Sequence, residues 1–433
     1  MSEVPLLMLY GVPLAAVVFV YVWRRRAREE HSLAVMRKAE QAGLTEPVTI
    51  HPVIDPNICI GSGACVRACP EKTLGIVKGK AHMVNPAVCI GHGACAAACP
   101  VEAIHLVFGT ARRGIEIPYV KPSFETNVEG LFIAGELGGV GLIRKAAEQG
   151  RQAMQAISAK RAANGELDVV IVGAGPAGIS STLGAMESKL KFVTIEQEAA
   201  LGGTIYHYPR NKVVSTQPVV LPIVGKAPLG EISKESLLEF WQGIVSRVGV
   251  PISFAQCLQK VERLDGGFLV KTGGGTEYRT RCVLLAIGRR GTPRKLGVAG
   301  EDLPKVVYQL RDPEQYQGKR VLVVGGGDSA VEAALALAAQ TGTQVTLSYR
   351  GEAFGRIKEK NRERLAAMGG KAGLEVLMGS SVQRIDERCV FLERDRASIT
   401  LENDHIIVCA GGILPTPMLK EMGVTVETKY GTA

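Results

Sequence analysis

From Val4 to Trp23 the chain reads VPLLMLYGVPLAAVVFVYVW, 20 residues without a charge, and RRRAR follows at once. That is about the length of helix that crosses a hydrocarbon core, with Tyr21 and Trp23 at one edge, where interfacial aromatic residues stand. A cleaved leader would carry its positive charge before the apolar run and small residues after it, and neither is present. The pattern predicts a single-pass signal-anchor over residues 1–26. The positive-inside rule then places the N-terminus outside an inner membrane and everything after Arg24 in the cytoplasm. Residues 27–48 read as a charged juxtamembrane helix and linker, and Pro47 to Pro56 as linker.

Beyond residue 160 the pattern changes to short β-branched runs that end in glycines and lead into helical periodicity. LDVVIVGAGPAGISS (167–181) sets Gly173, Gly175, Pro176, Ala177 and Gly178 between a strand and a helix, and the next strand, KFVTIEQ, ends in Glu196. Strand, helix and acid in this order form a dinucleotide fingerprint: glycines let backbone approach a pyrophosphate at the helix N-terminus, and the acid accepts from ribose. A second unit, RVLVVGGGDSAVEAALALAAQTGTQVTLSYR (320–350), has Gly325, Gly327 and Ala330 at the same positions, with Asp328 and Ser329 opening its helix. Its second strand ends in Tyr349 and Arg350 instead of an acid. An arginine there accommodates a 2′-phosphate, which favours NADPH and leaves NADH possible. Arg356 is either a second cation for that phosphate or an ordinary surface charge.

Between these parts lies a repeat. Residues 59–70 read CIGSGACVRACP and residues 89–100 read CIGHGACAAACP. The bacterial iron–sulfur run is C-x2-C-x2-C-x3-C-P, and in two-cluster proteins its last cysteine ligates the other cluster. By that rule Cys59, Cys65 and Cys99 hold one cluster, and Cys89, Cys95 and Cys69 the other. Ser62 and His92 stand where the second cysteine belongs. Three outcomes follow: a missing corner iron, an iron held by Ser62 oxygen or His92 imidazole, or empty loops. The glycines at 61, 63, 91 and 93 let backbone amides wrap inorganic sulfide. A structural zinc site fits six thiols in this spacing poorly. The segment resembles small bacterial ferredoxins, including those serving cytochrome P450 enzymes, in which the second position is often not cysteine and three-iron clusters result.

Composition narrows the classes. At 433 residues and 46% hydrophobic composition the chain can bury several cores. A net charge of +9 suits an anionic membrane face or acidic partners. No basic stripe interleaved with exposed aromatics appears, which argues against nucleic acid. The four remaining cysteines (Cys257, Cys282, Cys389, Cys409) are scattered singly and read as buried small hydrophobes.

The turns VLLAIGRRGTPRKL (283–296), with Ala286 and Gly288, and VCAGGILPT (408–416) close the two units. With them the region from Leu167 onward resembles the two-dinucleotide-binding-domain flavoproteins, specifically the thioredoxin reductase-like ferredoxin–NAD(P)+ reductases. The resemblance implies FAD in the first unit, with Gly203 of the Gly202-Gly203 turn beside it. It also implies hydride transfer between a nicotinamide nucleotide and flavin. Thioredoxin reductases carry C-x-x-C ahead of the second fingerprint, but VVYQLRDPEQYQGKR (306–320) has no cysteine. Such flavoproteins end in a flavin-contacting segment, G-D followed by a helix. Here PSFETNVEGLFIAGELGGVGLIRKAAEQG (122–150) is similar to that segment, ahead of the fingerprint and with Glu136 where aspartate is usual. FGTA (108–111) and YGTA (430–433) mark a duplicated seam, as in a circular permutation. The resemblance implies that residues 109–160 complete the FAD domain, with Gly135 and Glu136 near the ribityl and pyrophosphate. The helix start from Gly141 through Leu142 to Ile143 would lie near the flavin ring. A surface helix on the ferredoxin side is the competing reading, and service to a neighbouring chain stays open.

The predicted class is α/β: two Rossmann-like dinucleotide-binding domains, FAD (161–297) and NAD(P) (298–418), with a return linker (419–433). A small α+β ferredoxin domain (49–108) and the transmembrane helix precede them. The expected activity is a membrane-anchored NAD(P)H-dependent FAD oxidoreductase that feeds its own two iron–sulfur clusters ([3Fe-4S] or [4Fe-4S]) and an unidentified redox acceptor or donor. It would work as a homodimer or within a membrane complex. Reverse flow fits the same parts, and the alternatives are an electron-relay subunit and a disulfide or thiol reductase. His207 and Tyr206 read as polar lining of the flavin region.

Overall fold

The computed structural model describes residues 4–47, 50–160, 166–210, 212–289, 291–354, 357, 359–368 and 373–431. Contacts divide the chain into two compact units, Met1–Gly114 with Lys429–Ala433, and Ile115–Thr428.

The first unit begins with one continuous helix, α1 (Val4–Gln41), which does not break after the arginines. Its later half packs inward: Ser32, Ala39 and Leu44 are buried, and Glu29 accepts from the Lys78 amide at 2.6 Å. Every side chain described from Tyr10 to Trp23 is exposed. Among the described residues no helix is long and apolar enough to cross a membrane. The described side chains of the apolar run begin at Tyr10, so the stretch to Trp23 rises only about 21 Å at ~1.5 Å per residue, short of a ~30 Å core. The expectation of a spanning helix therefore leans on residues 4–9, whose side chains lie outside the described residues.

The rest of this unit is a pseudo-repeat. Strand β1 (His51–Ile54) pairs antiparallel with β4 (Ile104–Val107), and β2 (Leu74–Val77) with β3 (Lys80–Met83). Two short helices, α2 (Ala64–Ala68) and α3 (Ala94–Ala97), follow the cysteine loops. The stretch expected to be linker thus contains β1. Its partner lies some fifty residues on, and Pro52 sits in a two-stranded edge, where proline is tolerated. Gly431 returns here: its amide donates to the Phe108 carbonyl at 2.8 Å, beside the first GTA seam.

The second unit holds two layered halves. β5 (Ile115–Pro118) and β6 (Leu131–Ile133) lead into α4 (Ile143–Ser158), β7 (Leu167–Val172), α5 (Pro176–Glu187) and β8 (Phe192–Ile195). Two ribbons follow, β9 (Val213–Ser215) with β12 (Glu231–Ser233) and β10 (Val219–Leu221) with β11 (Gly225–Ala227). Next come α6 (Lys234–Val248), β13 (Leu258–Leu264), β14 (Gly267–Thr272) and β15 (Glu277–Leu285). The first sheet runs β13-β14-β15-β7-β8. β6 pairs parallel with Val283–Leu285 on the β15 edge opposite β7, so the segment ahead of the fingerprint supplies a strand of that sheet. The core strands are apolar on both faces, as a covered parallel sheet requires: Val169, Val170 and Ile171 are fully buried.

β16 (Thr292–Pro293) leads out of the first half. The second half has β17 (Val306–Val307), β18 (Arg320–Val324), α7 (Asp328–Ala338), β19 (Gln344–Tyr349), α8 (Glu359–Met368) and β20 (Leu374–Met378). A three-stranded antiparallel sheet, β21 (Ser380–Ile385), β22 (Cys389–Arg394) and β23 (Ala397–Glu402), precedes β24 (His405–Val408). The main sheet is all parallel, ordered β17-β24-β18-β19-β20. β25 (Gly412–Ile413) returns to pair with β16, and after α9 (Thr416–Glu421), β26 (Val426–Lys429) pairs with β5. Residues 115–128 therefore lie against the last strand, where Tyr119 and Asn127 bond to Thr425 and Gly423.

Candidate functional site

The first cradle forms where β7 turns into α5. A Cβ on Gly178 would lie 1.8 Å from the Gly173 carbonyl oxygen, so only glycine lets the helix start this close to the strand end. Glu196 closes β8, is buried, and accepts from the Ala174 amide at 2.6 Å and the Glu198 amide at 3.0 Å. A carboxylate has about four acceptor positions, so capacity for ribose hydroxyls remains. The Gly202-Gly203 turn leans on the same place: Gly202 donates to the Ala174 carbonyl at 2.9 Å, and a Cβ on Gly203 would meet Gly175 Cα at 3.1 Å. Ala286 joins through its amide to Val172, and Gly288 follows it with Thr204 nearby.

The segment 130–158 converges on this cradle. A Cβ on Gly135 would come 3.1 Å from that of Ala177. α4 crosses α5 so closely that a Cβ on Gly150 would lie 2.2 Å from the Ala177 carbonyl oxygen. Leu142 caps α4 in an extended conformation and Ile143 begins it. The helix ends leave backbone amides unpaired, as an anion site needs. Burial pushes the Glu136 carboxyl up, opposed by the Arg289 guanidinium, and burial likewise lowers Arg289 against the pull of Glu136 and Glu116. Arg289 donates to the Glu116 carbonyl at 2.6 Å. The run GRR that begins at Gly288 was its only sequence signal, and Glu136, whose charge it feels, lies about 150 positions earlier. Pyrophosphate and ribose fit these donors and acceptors.

The second cradle repeats the turn. Gly325 packs against the Cys409 carbonyl, Gly327 caps α7, and Ala330 is fully buried behind them. Asp328 accepts from Asn361 at 2.7 Å, and Ser329 is exposed. The Tyr349 ring stacks on Phe354, centroids 5.5 Å apart, and presses on Gly326, where a Cβ would meet it at 2.2 Å. Arg350 is exposed beside it. Arg356 lies outside the described residues. His207 bridges the halves, with Nδ1 3.1 Å from Gln309 Oε1 and Nε2 3.2 Å from Glu198 Oε1. Tyr206 is exposed.

In the first unit Cys59, Cys65 and Cys99 line one small hollow, together with Ser62. Burial pushes the Cys65 thiol up, and the charges of Cys59 and Cys99 add to it. Burial likewise raises Cys95 to about 11, with Cys89 and Cys69 adding. The two thiol groups are thus drawn from both loops. Gly61 and Gly91 have φ of +69° and +74°, and a side chain at either would run into Gly79 or Ile50. Amides point at sulfur: Ala81 to Cys59 at 3.4 Å and Ala103 to Cys99 at 3.3 Å, while Thr73 Oγ1 lies 3.2 Å from Cys69. Lys80 donates to the Cys59 carbonyl at 2.6 Å. Sequence spacing gave no sign of these four. None of these six cysteines is in a disulfide. Among the described residues no three His, Cys, Asp or Glu side chains close on a single-ion site. Free thiols spaced around a hollow, with amides aimed at sulfur, suit a multi-atom cluster.

Ser62 is exposed, with its Oγ 3.4 Å from the Ala64 amide. His92 is half-buried, burial lowers its pKa against the pull of Glu71, and its Nε2 is buried with no hydrogen-bond partner. Of the single cysteines, Cys282 is buried and raised by burial to about 11, Cys389 and Cys409 are half-buried, and Cys257 is exposed, so the reading of all four as core residues fails at Cys257.

The family model described as pyridine nucleotide-disulphide oxidoreductase matches residues 170–432, and one described as a 4Fe-4S dicluster domain matches residues 51–100. The chain is 30% identical to a ferredoxin–NADP reductase of Ignicoccus hospitalis over 60% of its own length and 83% of the relative's. It is 28% identical to the bacilliredoxin reductase Bdr of Bacillus subtilis over 60% of its length and 82% of that protein. The solved bacillithiol disulfide reductase Bdr of Staphylococcus aureus shares the fold with a TM-score of 0.54 at 24% identity, covering 60% of this chain and 81% of that one.

Proposed function

The chain belongs to the pyridine nucleotide-disulphide oxidoreductase family and is an FAD-dependent oxidoreductase similar to ferredoxin–NADP reductases. From that premise we propose that it takes hydride from NADPH and passes electrons singly through its own two iron–sulfur clusters to an acceptor outside the chain. The observation that carries this reading is that one chain matches both a nicotinamide–flavin family over 170–432 and a dicluster domain over 51–100. Flavin accepts a two-electron hydride and releases electrons one at a time, which is what nicotinamide and clusters need between them.

The chain's own residues have distinct parts in this scheme. Gly173, Gly175, Gly178 and Glu196 hold the FAD pyrophosphate and ribose, and residues 122–150 complete that domain from the N-terminal side. Gly325, Gly327 and Arg350 hold NADPH. Residues 1–26 attach the protein to a membrane, supported by the unbroken exposure of the apolar Tyr10–Trp23 face, since contiguous exposed apolar surface marks an interaction site. The Cys59 loop abuts this region: Gly61 rests on Gly79, and Arg25 approaches Gly79 from α1. The first cluster is thus the exit toward a membrane-side acceptor.

Anaerobic NADPH added to the full chain in detergent bleaches flavin absorbance, and cluster EPR signals then develop. Absence of any response to NADPH and NADH defeats the reading. The second reading, reduction of a low-molecular-weight disulfide, is favoured by the likeness to bacilliredoxin reductase. It predicts NADPH-dependent appearance of thiols from an added disulfide without cluster reduction.

A further inference from the structure

The two loops differ at one corner in more than residue type. Ser62 is exposed and its hydroxyl turns back to its own helix start, where Oγ lies 3.4 Å from the Ala64 amide. The Arg67 guanidinium lies 3.4 Å from the Ser62 carbonyl, across the mouth of the same loop. The Ser62 hydroxyl is thus engaged locally, on an exposed residue at the rim of the first hollow. His92 is in the reverse condition. Its Nε2 is shut away from solvent and meets no donor or acceptor. An unpaired buried polar atom is costly, and in a native structure it calls for a partner.

The surroundings say what the partner is. The charge that acts on the His92 ring is Glu71, two residues beyond Cys69. Cys69 in turn acts on Cys89 and Cys95. His92 also lies midway between Cys89 and Cys95 in the same loop, and Glu71 acts on Cys89 as well as on the His92 ring. Three sulfurs and one unpaired imidazole nitrogen offer four donors there, whereas in the first group the hydroxyl of the exposed Ser62 is already engaged by its own loop.

We propose that His92 Nε2 is the fourth protein ligand of the cluster held by Cys89, Cys95 and Cys69, while Ser62 leaves the matching corner of the other cluster with no protein ligand. This rests on the reading that the loops hold clusters. Ligation forms one iron–nitrogen bond, any proton on Nε2 leaves to solvent, and no electron moves. Imidazole in place of thiolate removes one negative charge from the cluster, so the second site sits at higher potential than its all-thiolate form, as histidine ligation does in Rieske centres.

The test uses full-length protein carrying ¹⁵N-histidine, purified in detergent without oxygen. Iron and acid-labile sulfide are counted first, since their absence removes the cluster reading itself. With clusters present, pulsed EPR of the reduced protein shows a directly bonded histidine nitrogen on one cluster and none on the other. His92→Cys keeps the iron, loses the nitrogen coupling and lowers that cluster's midpoint potential. Ser62→Ala leaves the iron count and both spectra unchanged. Loaded protein without bonded nitrogen overturns the proposal, as does a change of iron count in Ser62→Ala. Should His92→Cys fail to assemble, the labelled wild-type spectrum decides alone.

Discussion

In the first cradle the third fingerprint position is Gly178, where a Cβ would lie 1.8 Å from the Gly173 carbonyl oxygen; in the second the same position is Ala330, whose Cβ is accommodated and fully buried. The turn is shared, yet its tolerance differs. The first helix, α5, is pressed from its other side by α4, whose Gly150 meets the Ala177 carbonyl. α7 meets β18, β19, β20, α8 and the turn Pro313–Tyr316, and the Ala330 methyl group is accommodated there. The acid also differs: Glu196 is buried and tied to two amides, whereas Arg350 is exposed. Under the proposed function, one supersecondary device would serve a resident cofactor by closing tightly and an exchanging one with a more exposed second strand end.

Exchanging the two residues breaks or upholds this contrast, with the largest effect expected. Gly178→Ala drives a methyl group against the Gly173 carbonyl, an overpacking of about 1–3 kcal/mol or more, and FAD is lost on desalting. Ala330→Gly costs only the helix propensity difference, about 1 kcal/mol, and retains FAD and NADPH oxidation. The ratio of 450 nm to 280 nm absorbance measures it, with circular dichroism to verify the fold. Equal flavin retention in the two variants would remove the distinction.

Next in size is nicotinamide choice. Hydrogen bonds to a charged group contribute about 1.5–3 kcal/mol, so Arg350→Ala raises KM for NADPH roughly 10- to 100-fold. KM for NADH stays within twofold, and flavin content is unchanged. Steady-state kinetics with both nucleotides reads it, and equal loss for both shows that Arg350 acts on shape rather than phosphate.

Some of this contrast can be read from letters, and some cannot. Strand, glycines and helix are consecutive, so LDVVIVGAGPAG and RVLVVGGGDSA announce their local turns. The thiols repeat at fixed spacing, which is why their grouping can be anticipated. Tertiary approach is another matter. That Gly150 must be small depends on a helix residue 27 positions later in the sequence, Ala177, and the place of Leu131–Ile133 in the first sheet depends on Val283–Leu285. Arg289 beside Glu136 and Tyr349 pressed on Gly326 arise only when distant segments meet. Serine and histidine at the cluster corners look equivalent in sequence. Burial separates them, and burial is a property of the assembled unit. The strand His51–Ile54 was hidden by Pro52, by the flanking Pro47 and Pro56, and by a partner at residues 104–107.

The smallest effect concerns how the strands entering each sheet are pinned. Asp168 in β7 accepts from the Lys191 amide at 2.7 Å. In the second half Asp404, just ahead of β24, accepts from the Arg320 amide at 2.8 Å and from Arg320 Nη2 at 2.9 Å. Hydrogen bonding from the Arg320 side chain and then its backbone pulls the Asp404 carboxyl down to about 2, below the ~3.9 of an unfolded aspartate. Its stabilising contribution is therefore complete above about pH 4 and is lost as pH falls through about 2. Asp404→Asn removes that contribution, so wild type melts above the variant at pH 5 and the gap closes toward pH 2. The pair is partly exposed, which holds the gap to about 1 kcal/mol or less. Thermal melts of the FAD-loaded protein at constant ionic strength measure it, and a gap that persists unchanged to pH 2 would show that the pinning comes from the backbone bond alone.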